Sequence, residues 1–448
     1  MIHTERFSAD EPSVPGVVSR RTLLRGTAAA VAGLGLSACG GPLLSSTAGG
    51  RPVEFWNLFA GGDGLQMAAL LDAFRKENPE VGLEAVTLAW GAPYYTKVAM
   101  AAAGGRAPDV AVLHLARKTG FAPGQLLDPF DEDLLAEVGL REQDFLPNLW
   151  NAAKSGDRLY AVPLDTHPLI MYYNTDVCGK AGLLGSDGKL APIQGADAWL
   201  DAFAKAKAVT GHVGMAYDTQ DVMPWRLFWG LYRQLDGEIE LPEGGTVQID
   251  EQKALRALEF MQKVTTTPGL AVPSIDYPGA VATFTGGQAG FMWNGGWEVS
   301  TMQTAKLPFS MTRFPNIFGS HRTQGDSHSF VLPHQRDRDP QATRDAYNLI
   351  AFIVKNSADW AKVGHIPAWI PATESAEYES LQPQSEYREA AGDVQLDPEA
   401  WFSGSASSLE TQAGAAFSGV HSGELTPQAG LTQFIGAMNK LLDTPSPV

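Results

Sequence analysis

Cysteine is almost missing from this chain. Only Cys39 and Cys178 occur in 448 residues, so no disulfide framework holds the fold together. Basic residues are short as well: 33 Lys and Arg stand against 50 Asp and Glu, a formal net charge of -17. A chain this acidic repels phosphate backbones, which excludes nucleic acid as a partner. Long apolar runs are also lacking. The run from Thr27 to Leu36 falls well short of the ~20 residues that span a bilayer. There is no G-x-S-x-G elbow for a serine hydrolase. There is no H-E-x-x-H, and the nine His are scattered along the sequence, which argues against a metal centre. No metal and no cofactor is expected, and neither internal repeats nor low-complexity tracts are found.

What is present reads as a globular protein with a leader. Hydrophobic residues make up 44% and charged residues 19%, a balance that can bury a core. The length suits two large domains or one elaborate one. Residues 1–38 read as a signal peptide. Arg20 and Arg21, followed by Leu23 and Leu24, resemble a twin-arginine export signal, and the short Ala/Gly/Leu run is its apolar region. Leu36-Ser37-Ala38-Cys39 resembles a bacterial lipobox, in which Cys39 is lipidated. The other reading is an ordinary secretory signal with an incidental cysteine. Residues 39–52 form the tether, and Cys178 is then unpaired and structural.

Beyond the tether, hydrophobic periodicity alternates between strand and helix. VEFWNL reads as a strand, GGDG as a tight turn, and LQMAALLDAFRKENP as a helix stopped by proline. VGLEAVTLAW, YYTKVAMAAAGG and APDVAVLHL continue as strand, helix and buried strand. That order predicts an α/β fold with a mainly parallel sheet. Ligands of such sheets sit beyond the carboxyl ends of the strands, which points to Asp63 in GGDG and to His114. A second α/β stretch begins at AVPLDTHPLIMYYN, residues 161 to 174. Here Asp165 and His167 lie two apart between prolines, as a catalytic pair would or as a ligand grip would.

The stretches EFWNLFAGGDG, LLDAFRKENP, GGRAPDVAVLH, GDRLYAVPLDTHPLIMYYNTDV, FTGGQAGFMWNGGWEV and AKVGHIPAW, in that order, resemble the sugar-binding lipoproteins of bacterial ABC importers, related to maltose-binding protein. The resemblance implies a two-lobed α/β fold of the type II periplasmic-binding-protein class, with hinge-crossing strands and a central ligand cleft. Carried onto this chain, one lobe is 51–164 plus 326–368 and the other 165–325 plus 369–448. The crossings then fall near Pro163–Asp165, Gly319–Asp326 and Ile366–Pro371. The resemblance further implies a monomer that closes on a carbohydrate and hands it to membrane permease subunits. Its lipidated Cys39 anchors it at the outer face of the cell membrane.

A sugar offers C–H faces to aromatic rings and hydroxyls to charged, planar side chains. Ten residues fit those needs. The resemblance places Trp297 of NGGW as a stacking ring, with Asn294 holding the turn or touching a hydroxyl. It turns Trp225 toward the cleft, whereas Phe228, Trp229 and Tyr232 at helical spacing read as a core stripe. It also puts Arg117 in the cleft, while Leu113 replaces an aromatic of the maltose-type pattern. Asp63 accepts hydroxyls or caps a helix. His114, His328 and Trp369 present a ring to the cleft or pack structurally. As a strand, Asp165 and His167 point the same way and grip hydroxyls at a hinge, or bond only to each other. Other readings are a binder of another small solute, such as a glycerophosphodiester or peptide, and a secreted glycosidase using Asp63 and Asp165, which needs two suitably spaced carboxylates.

Overall fold

The computed structural model describes residues 51–446. The expected export signal, Cys39 and the expected tether up to residue 50 lie outside the described residues. Among the described residues no helix is long and apolar enough to cross a membrane.

Two sheets organise the chain. The first runs in the order Leu83–Thr87, Val53–Asn57, Val110–His114, His328–Pro333, Leu127–Asp128, with Val162–Pro163 also paired to His328–Pro333. Its first three strands are mutually parallel and His328–Pro333 is antiparallel, so the sheet is mixed. The second runs Val394–Gln395, Thr323–Asp326, Asp165–Asn174, Phe291–Gly295, Met215–Ala216. Phe309–Thr312 and Ile366–Pro367 also pair with its central strand.

That central strand explains the apolar run LIMYY. Every residue from Asp165 to Asn174 is buried, because both sheet faces are covered. Met171 and Tyr173 enter a core with Phe203, Phe228 and Phe417. Ile170 and Tyr172 point the other way, to Met292 and Tyr387, as the two-residue period of a strand requires. The first sheet has a separate core around Phe55, Val112, Phe330, Ile350 and Trp360.

Helix ends follow local chemistry. Asp250 and Asp339 cap Glu251–Thr266 and Pro340–Lys355 through their carboxylates. The GGDG stretch departs from the expected tight turn. It is the first turn of the helix Gly61–Glu77, with Asp63 inside it and no side-chain cap. An acid there still favours the helix dipole.

The chain passes between the two sheets three times. Pro163 belongs to the first and Asp165 to the second. Asp326 pairs in the second and His328 in the first. Ile366–Pro367 pairs with Asp165–Thr166, and Ala368 packs with the first core. Hydrogen bonds stitch these passages together: Leu164 N–H donates to the His328 carbonyl at 2.8 Å, Ala368 N–H to the Leu164 carbonyl at 3.0 Å, and the Thr166 hydroxyl to the Asp326 carbonyl at 3.1 Å. The candidate site sits on this junction.

Candidate functional site

A cavity of about 710 Å³ opens above the three passages, within the range of small-molecule clefts. One wall carries Phe59, Asp63, Trp90 and His114. The opposite wall carries Asp218, Asp221, Met223, Arg226, Tyr277 and Trp297. His167, His328 and His365 lie on the passages themselves.

Asp165 organises the floor from beneath. It is fully buried and takes no part in the lining. Its Oδ1 accepts from His167 Nδ1 at 3.1 Å and from the His328 backbone N–H at 2.9 Å. Its Oδ2 accepts from His328 Nδ1 at 2.8 Å and from Trp360 Nε1 at 2.6 Å. Burial alone would raise its pKa, but His328, His365 and His167 hold the carboxyl well below its ordinary range. Asp165 thus turns the Nδ1 edges of His167 and His328 toward itself. Burial, with neighbouring His328, pushes His167 down to about 3 despite Asp165's pull. His114 is likewise held well below its ordinary value by burial and by His328 and His167. Its Nδ1 shares a 2.7 Å hydrogen bond with the Tyr95 hydroxyl.

His365 behaves oppositely. Burial lowers its pKa, but Asp63 and Asp165 outweigh that and raise it. Its Nε2 lies 3.1 Å from Asp63 Oδ1 and its Nδ1 3.6 Å from Asp165 Oδ2. Neither nitrogen is aligned as a hydrogen bond. A glycine contact sets this residue in place. Gly364 has a φ of +99°, and its backbone crosses Gly296 so closely that a Cβ on either would overlap the other's carbonyl. The adjacent Gly295 has no room for a Cβ because the Trp297 ring lies on it. Both glycines of NGGW are therefore needed, one for the passage and one for the ring. Trp297 Nε1 donates to the Tyr277 hydroxyl at 2.7 Å, which donates to Glu298 at 2.5 Å.

The acidic wall is partly neutral. Desolvation raises Asp218 to about 7. Arg226 is engaged with buried Glu410 through Nε at 2.7 Å and Nη2 at 3.3 Å, and Glu410 raises its pKa against the lowering effect of burial.

Of the residues singled out from sequence, Asp63, His114, His167, Trp297 and His328 line the cavity. Five others are placed elsewhere. Asp165 lies behind the histidines. Asn294 holds the turn: its Oδ1 accepts from Gly295 N–H at 2.8 Å and lies 3.3 Å from the Tyr277 hydroxyl. Trp225 is fully buried, stacked with Trp229 at 5.7 Å and bonded through Nε1 to Asp397 at 3.0 Å. It belongs to the same helical stripe as Phe228, Trp229 and Tyr232. Arg117 lies 4.3 Å over the Tyr95 ring and reaches the Ser403 carbonyl at 3.5 Å. Trp369 packs against the first core and the small Ala358–Tyr378 cluster. Sequence reading missed Trp90, Asp218, Asp221, Arg226, Tyr277 and His365. His365 alone had a signal, since HIP lies at the third passage. The scatter of histidines along the chain is undone by folding: His114, His167, His328 and His365 place neighbouring ring centroids 4.3 to 5.8 Å apart.

Two arrangements were open for the Asp63 and Asp165 carboxylates. A glycosidase would need both to face the sugar, with one on each side of its bond. Here Asp165 is covered by donors and His365 stands between the two.

Residues 61–369, more than half of the chain, match the signature of the bacterial extracellular solute-binding proteins. A lactose-binding protein of Rhizobium radiobacter is 27% identical over 192 residues, 41% of this chain and 43% of its own length; the match therefore spans under half of that relative. The GacH receptor of Streptomyces glaucescens, solved unliganded and with acarbose and a homologue, is 20% identical with a TM-score of 0.73, covering 87% of this chain and 98% of its own. UgpB from Mycobacterium tuberculosis, solved with glycerophosphocholine, is 17% identical with a TM-score of 0.72, covering 88% and 99%. These neighbours share the two-lobed solute-binding fold, and by its own sequence signature the chain belongs to the bacterial extracellular solute-binding proteins, which are binders rather than enzymes.

Proposed function

We propose that the chain captures a carbohydrate, a small oligosaccharide or glycoside, in this cavity and delivers it to the permease of an ABC importer. The observation that carries this reading is the composition of the cavity wall. Trp90, Tyr277 and Trp297 offer aromatic surface, and Asp63, His114, His167 and His328 offer polar atoms beside it. Imidazole nitrogens and a carboxylate suit sugar hydroxyls, and aromatic faces suit sugar C–H groups. The lobes are 51–164 plus 326–368 and 165–325 plus 369–448. Ligand touches both walls only in the closed form, so it shifts the open–closed equilibrium by its differential affinity. The ten residues named from sequence divide into direct contacts, namely Asp63, His114, His167, Trp297 and His328, and supports behind them. Lipidation of Cys39 anchors a monomer at the outer face of the cell membrane, since a diacyl anchor supplies the two chains stable attachment needs.

A phosphodiester ligand is less well served. Arg226 is the arginine lining the cavity, and it is already paired with Glu410, leaving Asp218 and Asp221 to face a phosphate. The test is a thermal-shift screen against sugars, glycerophosphodiesters and short peptides, followed by calorimetry of any hit, because a ligand of the native state raises its melting temperature. Stabilisation by a sugar supports the reading; stabilisation by the other solutes alone refutes it.

A further inference from the structure

We propose that Asp165, His167, His328 and His365 form a binding site for one divalent transition-metal ion of the zinc class, clamping the three passages between the sheets. This goes beyond sugar capture and does not depend on it.

The topology is the first argument. Each passage contributes one imidazole to the same buried carboxylate: His167 from Asp165–Asn174, His328 from His328–Pro333, and His365 next to Ile366–Pro367. One donor atom from each of the four residues lies within 4.8 Å of all the others. The distances are the second. The three Nδ1 atoms stand 3.1, 2.8 and 3.6 Å from the nearest Asp165 oxygen. A tetrahedral ion with bonds of about 2.0–2.1 Å separates its donors by about 3.3 Å, so the spacings to Asp165 already suit one and the wider spacings, up to 4.8 Å, close on binding.

The third argument is an unpaid polar group. His365 is fully buried, yet neither of its nitrogens has an aligned hydrogen-bond partner. Buried polar atoms without partners are rare in native proteins, and an ion at the cluster would satisfy Nδ1. Supporting contacts of the kind that orient metal ligands are in place: Trp360 Nε1 donates to Asp165 Oδ2 and its ring stacks on His365 at 4.9 Å. Three imidazoles and one carboxylate suit zinc, copper or nickel rather than calcium or magnesium.

His167 and His328 also line the cavity, so metal loading and ligand choice are coupled through the same two rings.

The experiment uses the untagged full chain. Zn²⁺ titration with a competing chelator is expected to give one ion per chain, and Co²⁺ is expected to give the strong visible bands of tetrahedral coordination, displaced by Zn²⁺. X-ray absorption at the zinc edge reads the ligands without mutation and is expected to show three imidazoles. His328→Gln and the double variant His167→Gln with His365→Gln are expected to weaken binding by on the order of 100-fold or more. Absence of stoichiometric binding by the wild type, fewer than three imidazoles on the bound ion, or undiminished binding by folded variants overturns the proposal. Sugar affinity measured in chelator keeps the two readings apart: sugar binding without zinc binding defeats this inference alone, and zinc binding without sugar binding defeats the carbohydrate reading alone.

Discussion

Replacing Gly295 by alanine tests the placement of Trp297 without touching its chemistry. Gly295 has φ -83° and ψ 164°, an extended conformation any residue adopts, so the substitution introduces no backbone strain. The added methyl has nowhere to go, because it would overlap Cζ3 and neighbouring atoms of the Trp297 ring. Carbon atoms in ordinary contact keep about 3.5–4.0 Å apart, so the indole must leave its seat. Overpacking of this kind destabilises by about 1–3 kcal/mol. Displacing a ring that covers about 60–100 Å² of sugar surface removes about 1.5–2.5 kcal/mol of binding, or roughly a tenfold to sixtyfold loss of affinity. Trp297→Ala is expected to lose a similar amount of affinity. In that background Gly295→Ala has no ring to strike, so its further cost in stability and binding falls toward zero, a large coupling in a double-mutant cycle. Calorimetry against the sugar found in the screen and thermal melts of the four proteins supply the cycle. Additive effects of the two substitutions, or unchanged affinity in Trp297→Ala, would refute the argument.

Three other perturbations separate support from contact. Asp165→Asn keeps one acceptor for four donors, so it is expected to destabilise the fold by roughly 3–5 kcal/mol; an unchanged denaturant midpoint would contradict the hub described for it. Burial and nearby Glu410 raise Asp397 to about 7, above the about 3.9 of an unfolded aspartate. Between those values the native state keeps a proton the unfolded state has released, so stability falls as pH rises through that window. Asp397→Asn is therefore expected to be more stable than wild type at pH 8, by about 1–3 kcal/mol, and equal to it near pH 4; a pH-independent difference rejects the assignment. Cys39→Ser is expected to move the protein from the membrane fraction to the soluble one, and continued detergent dependence would count against lipidation.

Much of the architecture was readable because burial leaves periodic marks. LIMYY is the apolar run that a strand covered on both faces leaves, and the stripe Phe228, Trp229, Tyr232 marked the buried face of a helix. Treating Trp225 apart from that stripe was the error, since a residue three and four positions from core aromatics shares their face. Asp165 and His167 were visible as a pair on one side of a strand. What local reading could not show was that His328 and His365 arrive at the same carboxylate from passages far along the chain. Tyr277 and Asp218 were invisible for the same reason: they reach the wall through tertiary packing, with no motif of their own. The glycines of NGGW allow the chain to turn. Their larger role is room, for an indole at Gly295 and for the Gly364 backbone at Gly296.

The central claim is that the cavity over the three passages binds a carbohydrate. Calorimetric titration of the wild-type chain with the sugar that most raises its melting temperature tests it most directly. One sugar per chain, with affinity weakened by Trp297→Ala and by His167→Ala, is the predicted result. Stabilisation by a non-sugar solute with no response to any sugar, or sugar binding indifferent to both substitutions, would contradict it.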